Sequence, residues 1–452
     1  MAYEQVYEEE EEEEDPEETP LIQSGSGPKA PPDRRYAVFL IFGFLGLSSL
    51  LPWNFFITAK KYFDYKFRNT SLPSNVSFDG KGHTTDMQVV FESYLSIVSN
   101  GSNLLFMIIT LLLVRSISVK VRIVVSTVLM ITIFVITTSL VEVDTDSWQQ
   151  VFFIITLVMA AFMSGVQSVL TGSVLGLSAL FPAIYSQSAM IGQAAGGTFS
   201  AVVSILTHAT GGDPITSALI YFLIASVVTG LALVAYLSLY AQKFSRFYMI
   251  DQVYIASKIN EDIPSYHDIV GRKEYLGAIL KKTWMYCVSI CLVFMVTLSV
   301  FPAVCSLIKS YSHEGNAWTD TYFTPVVCFL LFNVGDFLGR LVTFVFKFPG
   351  PHRPQLMLFM CILRIGFIPL LMFCNAQPRY HMPVVFDNDA YPVVLILFMG
   401  LTNGYLSTLC MSFGPIDVPD EHAEGTGMML ALAMTMGLAA GSGLSFLCVY
   451  LL

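Results

Sequence analysis

The strongest chemical signal in the sequence is a set of four residues. Phe329, Asn333, Asp336 and Arg340 are spaced 4, 3 and 4 apart, which places all four on one face of a helix. Their surroundings are apolar. Asp336 and Arg340 can pair at i, i+4, and each offsets the burial of the other. With Asn333 extending it, the stripe reads as the wall of a water-filled cavity that holds a solute by its hydroxyl groups. The plainer reading is an ion pair that fixes two helices. Arg364 lies in the middle of the next apolar block with no acid within a turn. It needs a partner on another segment, and a part in gating or helix contact suits it better than direct binding. Trp53, in Leu50-Leu51-Pro52-Trp53-Asn54-Phe55-Phe56, offers a flat face for a planar ring, or else an interfacial anchor. Ser96, Asn100 and Asn103 form a second polar stripe, and Gln167 with Thr171 a third. These could line the same cavity or bridge helices by hydrogen bonds.

The elements that would position these residues follow from hydropathy. Hydrophobic residues make up 54% of the 452 and charged residues 13%, too few charges to cover soluble domains. The apolar residues fall into eleven blocks near the ~20 residues that span a bilayer. They are 36–58, 89–114, 121–142, 151–176, 184–207, 215–241, 284–309, 322–346, 355–376, 390–411 and 425–451. The sequence therefore predicts an all-α polytopic membrane protein with eleven transmembrane helices in a 6+5, major-facilitator-like arrangement. Its parts are a disordered acidic cytosolic tail (1–35), a six-helix bundle (36–241), a cytosolic loop (242–283) and a five-helix bundle (284–452). The solute site is expected between the bundles. A Pro at position 52 can kink the first helix.

The net charge of −10 belongs to the tail. The first 18 residues hold eleven acids, and the rest of the chain has 24 bases against 23 acids. No basic patch supports nucleic-acid binding. Fifteen Lys and Arg residues fall on the tail's side of the membrane and seven on the other, so the N-terminus is expected in the cytosol and the C-terminus opposite. Loop 59–88, on the far side, carries glycosylation sequons at Asn69 and Asn75. In the tail, Glu17, Leu21 and Ile22 fit the acidic dileucine pattern that clathrin adaptors read. The eight cysteines form no CxxC and read as apolar filler, with no metal site. Neither HExxH, GxSxG nor a phosphate-loop lysine is found, so neither an enzyme nor a cofactor is expected. The Gly192–Gly197 and Gly425–Gly427 clusters read as surfaces for close helix contact.

Several long pieces resemble the equilibrative nucleoside transporters: Leu50–Ile57 (LLPWNFFI), Phe301–Val304, Phe329–Arg340 (FLLFNVGDFLGR), Phe367–Asn375 (FIPLLMFCN) and Thr402–Pro415 (TNGYLSTLCMSFGP). The resemblance covers all but the tail and the central loop. The helix-one sequence and tail signal look most like the lysosomal third subtype, which favours acidic pH. The resemblance implies that Trp53 contacts the base, with Asn54 shaping the first helix. It implies that Asp336 and Arg340 engage ribose hydroxyls, with Phe329 and Asn333 completing that wall. It puts Ile57, Phe301 and Leu438 at cavity-lining positions. Thr171 stands where a relative has a Gln that reaches the base. Asn100 and Asn103 replace apolar residues of that relative. The implied function is facilitative transport of nucleosides and nucleobases out of lysosomes, with proton linkage as an option. For acid sensing, Glu424 at the mouth of the last helix is the first candidate and Asp213, in the short loop after helix five with His208 nearby, the second. A carrier of another polar solute or an organic amine, and a membrane receptor or channel, remain the rival readings.

Overall fold

The computed structural model describes residues 30–71, 85–209, 213–249, 267–311, 318–377, 379 and 381–452 of the chain. The sorting signal and Asn75 lie outside the described residues, as does the His208 side chain.

Regular structure among the described residues is helical apart from one isolated bridge, Ile308 to Ala376. A helix satisfies its own backbone, which lipid requires. The first half contains α1 (Ala37–Thr58), a short α2 (Lys60–Lys66), α3 (Asp86–Leu112), α4 (Val119–Val141), α5 (Gln149–Ala179), α6 (Ala183–Ala209) and α7 (Pro214–Leu239). The second contains α8 (His267–Val300), α9 (Leu331–Val342), α10 (Pro354–Leu363), α11 (Phe367–Met372), α12 (Ala390–Phe413) and α13 (Asp420–Leu451). A π-helical stretch, Thr324–Leu330, leads into α9, and a 3₁₀ turn, Arg364–Gly366, joins α10 to α11. Helix α1 runs on through Pro52. Polar residues set several starts. Thr85 and Gln88 form a capping box on α3, Ser118 caps α4, and Asp213 caps α7 ahead of Pro214.

Ten helices among the described residues are long and apolar enough to cross a membrane. The sequence predicts eleven. The remaining segment, 184–207, is the 27-residue α6, whose described part is dense in small and polar residues such as Ser186, Gln187, Gly192 and Gln193. The expected loop 242–283 is also shorter than predicted. Residues 243–249 are helical, and α8 begins at His267. The reason is packing. Tyr275 and Leu276 lie against Leu111, Val114 and Met428, and Ile279 is buried, while Lys273, Lys281 and Lys282 stay exposed. A polar composition therefore hides an amphipathic helix start.

Buried apolar residues form three main cores. One is built from the first half alone, around Leu51, Phe55, Phe134, Phe152 and Phe222. Another is built from the second half alone, around Val300, Val327, Met372 and Ile396. The third draws on both halves: Phe42, Leu170, Val174 and Met190 join Ile290, Leu409, Met411 and Leu430. The halves are thus fused at one end, where α5 finishes and α13 starts. At the other end each half is packed on itself. The cysteines fill these cores: Cys287, Cys361 and Cys410 the shared one, and Cys305, Cys328, Cys374 and Cys448 that of the second half.

Backbone contact sets the tightest helix pairs. A Cβ at Gly192 of α6 would lie 1.8 Å from the Gly43 carbonyl oxygen of α1, and one at Gly46 of α1 would lie 1.9 Å from that of Ala189 of α6. Between α9 and α12, a Cβ at Gly339 would sit 2.0 Å from the Leu401 oxygen, and one at Gly404 would sit 1.9 Å from that of Asp336. Gly427 likewise meets the Leu175 carbonyl of α5. The expectation that the two glycine clusters make close helix contacts holds.

Gly192→Val should therefore separate α1 from α6 and cost upwards of about 3 kcal/mol, the top of the usual range for overpacking. Gly230→Ala, where nothing lies within 4 Å, should be neutral or stabilise by up to about 1 kcal/mol. Thermal unfolding of both purified variants in detergent measures the difference.

Candidate functional site

The predicted stripe runs from the π-helical stretch (Phe329) into α9 (Asn333, Asp336 and Arg340), and it divides into a buried half and an open half. Asp336 and Arg340 are 6% and 4% exposed. The Arg340 Nε donates to Asp336 Oδ2 at 2.9 Å, and a terminal guanidinium nitrogen lies 2.9 Å from the same oxygen. The other terminal nitrogen crosses to the first half and donates to the Met190 carbonyl of α6 at 2.8 Å. Gly335, Gly339 and Gly404 allow this burial, because they bring α12 in against the backbone of α9.

Asp336 has a further partner on α12. Asn403 Nδ2 donates to Asp336 Oδ1 at 2.7 Å. Thr297 Oγ1 of α8 lies 2.8 Å from Asn403 Oδ1, and Arg364 donates to Thr297 Oγ1 at 2.8 Å. Arg364 also donates to the Val293 carbonyl at 2.9 Å and the Met399 carbonyl at 3.2 Å. Its Nε has no hydrogen-bond partner. The partner that the sequence required for Arg364 is thus a hydroxyl and two carbonyls, with an acid reached through two intermediaries.

The other half of the stripe opens outward. Phe329 is 38% exposed and meets the Phe301 ring edge-on at 5.9 Å, while Phe301 stacks on Phe332 at 4.0 Å. Half-buried Asn333 donates from Nδ2 to the Phe329 carbonyl at 2.8 Å. Its backbone carbonyl accepts from Thr198 Oγ1 of α6 at 3.3 Å. Gly197 faces this side chain closely: a Cβ there would lie 2.6 Å from Asn333 Oδ1 and 3.9 Å from Asn54 Nδ2. Asn54 Nδ2 is buried without a hydrogen-bond partner. Asn54, Gly197 and Asn333 therefore bring α1, α6 and α9 together beside the ion pair.

The remaining predicted residues lie on α1, α3, α5 and α13. Trp53 is half-buried, with its ring nearly parallel to that of Phe56 at 6.4 Å. Ile57, one turn on, is 45% exposed. Asn100 donates to Ser96 Oγ at 3.2 Å and to Ser442 Oγ of α13 at 3.5 Å, linking the halves. The Asn103 carbonyl accepts from Ser168 of α5. Thr171 is buried one turn from Gln167, whose Oε1 lacks a hydrogen-bond partner. Leu438 is half-buried against the shared core.

The two candidate pH sensors have different surroundings. Glu424 pairs with Arg122 of α4, at side-chain exposures of 19% and 4%. Arg122 also donates to the Ile117 carbonyl and to Ser173 of α5. Arg122 is buried inside α4 and joins the two halves at their fused end. Asp213 is exposed, and its carboxylate accepts from the Thr216 backbone N–H at 3.3 Å. Asn69 is exposed as well, and its Oδ1 accepts from the Ser71 N–H. Asn403, Thr297 and Arg122 are missing from the sequence-predicted site. Only Asn403 had a signal, as an amide in the middle of an apolar span.

The fold of this chain, two helical halves meeting around a buried polar centre, resembles that of solved major facilitator superfamily transporters. The proton:xylose symporter XylE, solved with 6-bromo-6-deoxy-D-glucose, superposes with a TM-score of 0.57 at 13% identity, covering 90% of this chain and 86% of its own. The transporter FucP, in the outward conformation, gives 0.50 at 11%, covering 92% and 95%. Sequence narrows the class. Residues 157–450 match the family model described as nucleoside transporter. Equilibrative nucleoside transporter 3 of Rattus norvegicus is 39% identical over 438 residues, covering 94% of this chain and 91% of that one. Equilibrative nucleoside transporter 1 of Homo sapiens is 34% identical over 452 residues, covering 92% and 98%. The chain belongs to the equilibrative nucleoside transporter family, and it is a transporter rather than an enzyme.

Proposed function

We propose that the protein carries nucleosides down their gradient by alternating access between a six-helix and a five-helix half, with α6 counted as the eleventh span. The observation that carries this reading is the Asp336–Arg340 pair at the junction of the halves, reaching the Met190 carbonyl across it. Asp336 Oδ1 takes one hydrogen bond from Asn403, and a carboxylate oxygen can take a second, here from a ribose hydroxyl. Phe329, Asn333 and Phe301 continue that wall. Trp53 and Ile57 take the base side, with Asn100, Asn103, Thr171 and Leu438 around it. The shared core and the Arg122–Glu424 pair close the end that the charge rule puts in the cytosol. No ATP is needed in such a cycle.

Asp336→Asn leaves Arg340 without its counter-charge, a change worth about 3–5 kcal/mol at a buried pair. Ribonucleoside uptake into proteoliposomes should collapse at wild-type protein abundance, more than uptake of a nucleoside without ribose hydroxyls. Normal uptake by that variant would remove the assignment.

A lysosomal exporter meets acid on its lumenal side, and we place proton sensitivity on Glu424 or Asp213. Glu424 lies at the cytosolic end, so lumenal acid reaches it only through a cavity open to the lumen; protonating it there would release Arg122 and loosen the fused end. Protonating Asp213 would weaken the cap on α7. Uptake against pH should lose its rise on acidification in Glu424→Gln or Asp213→Asn while some activity persists. Unchanged profiles in both put the sensor elsewhere.

We further assign the chain to late endosomes and lysosomes through Glu17, Leu21 and Ile22, read by a clathrin adaptor, with Asn69 and Asn75 glycosylated on the lumenal side. Leu21→Ala with Ile22→Ala should redistribute the protein to the plasma membrane in fluorescence imaging. No redistribution would leave the lysosomal assignment unsupported.

A further inference from the structure

We infer that Arg364 and Thr297 are positioning residues for the solute site: they fix the direction of a hydrogen-bond chain that makes Asn403 present its amide hydrogens, rather than its oxygen, to Asp336. The inference rests on the proposed contact between Asp336 and ribose hydroxyls.

The chain has four members on four segments. Arg364, in the turn between α10 and α11, donates to Thr297 Oγ1 of α8 at 2.8 Å. Thr297 reaches Asn403 Oδ1 of α12 at 2.8 Å, and Asn403 Nδ2 reaches Asp336 Oδ1 of α9 at 2.7 Å. All four residues are at most 6% exposed.

The chemistry of the two ends sets the direction. A guanidinium carries hydrogen-bond donors only, and an ionised carboxylate carries acceptors only. Thr297 Oγ1 accepts from Arg364, and its single hydrogen must go elsewhere. Two acceptors are within reach, the Val293 carbonyl at 2.9 Å and Asn403 Oδ1 at 2.8 Å. The Val293 carbonyl already accepts from another Arg364 nitrogen at 2.9 Å. Asn403 Oδ1 is the acceptor still in need of a donor. Once it is held by Thr297, the Asn403 amide can turn only its NH₂ toward Asp336. Reversing the amide would set an oxygen against a carboxylate oxygen and waste a donor.

Removing the Thr297 hydroxyl takes away this constraint. Asn403 is then free to reverse, and Asp336 loses a donor that aligns its carboxylate with Arg340. The loss should fall on the part of the solute that Asp336 touches. A ribonucleoside offers hydroxyls there, and a 2′,3′-dideoxynucleoside offers none at those carbons. A hydroxyl whose only role is to hold α8 to α12 would affect both solutes alike.

The experiment is initial-rate uptake of uridine and 2′,3′-dideoxyuridine into proteoliposomes by the full-length protein and its Thr297→Val, Thr297→Ser, Arg364→Lys and Asp336→Asn variants, each at measured abundance. Thr297→Val should raise the KM for uridine about tenfold, as expected for losing one charge-linked hydrogen bond, and change that for dideoxyuridine less than about twofold. Thr297→Ser keeps the hydroxyl and should retain both values. Arg364→Lys keeps a donor on a point charge and should fall between the two. If Asp336→Asn discriminates between the solutes and Thr297→Val does not, the inference is overturned while the ribose reading stands. If Asp336→Asn affects both equally, the ribose reading fails and takes the inference with it.

Discussion

Three charges buried inside the helix bundle shape this structure: Asp336, Arg340 and Arg364. A charge at the centre of a membrane helix is costly, and a bundle tolerates it only with partners. There is one acid for two guanidinium groups in this cluster, so the partners include backbone carbonyls, a hydroxyl and an amide. To supply them, α6, α8, α9 and α12 must approach one another and the Arg364 turn. The glycines at 339 and 404 remove the side chains that would keep α9 and α12 apart. The tightest packing in the second half thus serves its polar centre.

The distribution of apolar contact explains how such a centre can serve a carrier. One core spans both halves, and each half keeps another core to itself. A structure fused throughout would have no hinge, and one parted throughout would have no seal. The Arg122–Glu424 pair adds an ionic contact within the fused end, where α4 and α13 meet. The charge-assisted hydrogen bonds of this pair need a fixed geometry, whereas the apolar contact around it is short-ranged and non-directional. The two kinds of contact at one end resist opening in different ways.

Much of this was legible in the sequence, for identifiable reasons. The stripe on α9 was readable because 3.6-residue periodicity is a local property, and Asp336 and Arg340 do pair at i, i+4. The helix boundaries near 37, 119, 214 and 390 were readable because hydropathy changes sharply there. The central loop was not, because the start of α8 is polar in composition and is held by Tyr275, Leu276 and Ile279 against distant helices. The burial of Arg122 was not legible, since its partner on α13 lies 302 residues away. Thr297 resembles any threonine that bonds its own helix backbone, and it does that too. Its second bond depends on a residue 106 positions away, which no local pattern contains.

The chain from Arg364 to Asp336 also bears on electrical insulation. A conducting file of hydrogen bonds must take up a proton at one end, release one at the other and then turn over to reset. Arg364 does not give up its proton, and the Asn403 amide neither gains nor loses one. The file is therefore blocked at two of its four members. It can polarise and hold its orientation, but it cannot pass protons through the second half. This chain of buried polar groups is a dielectric rather than a wire.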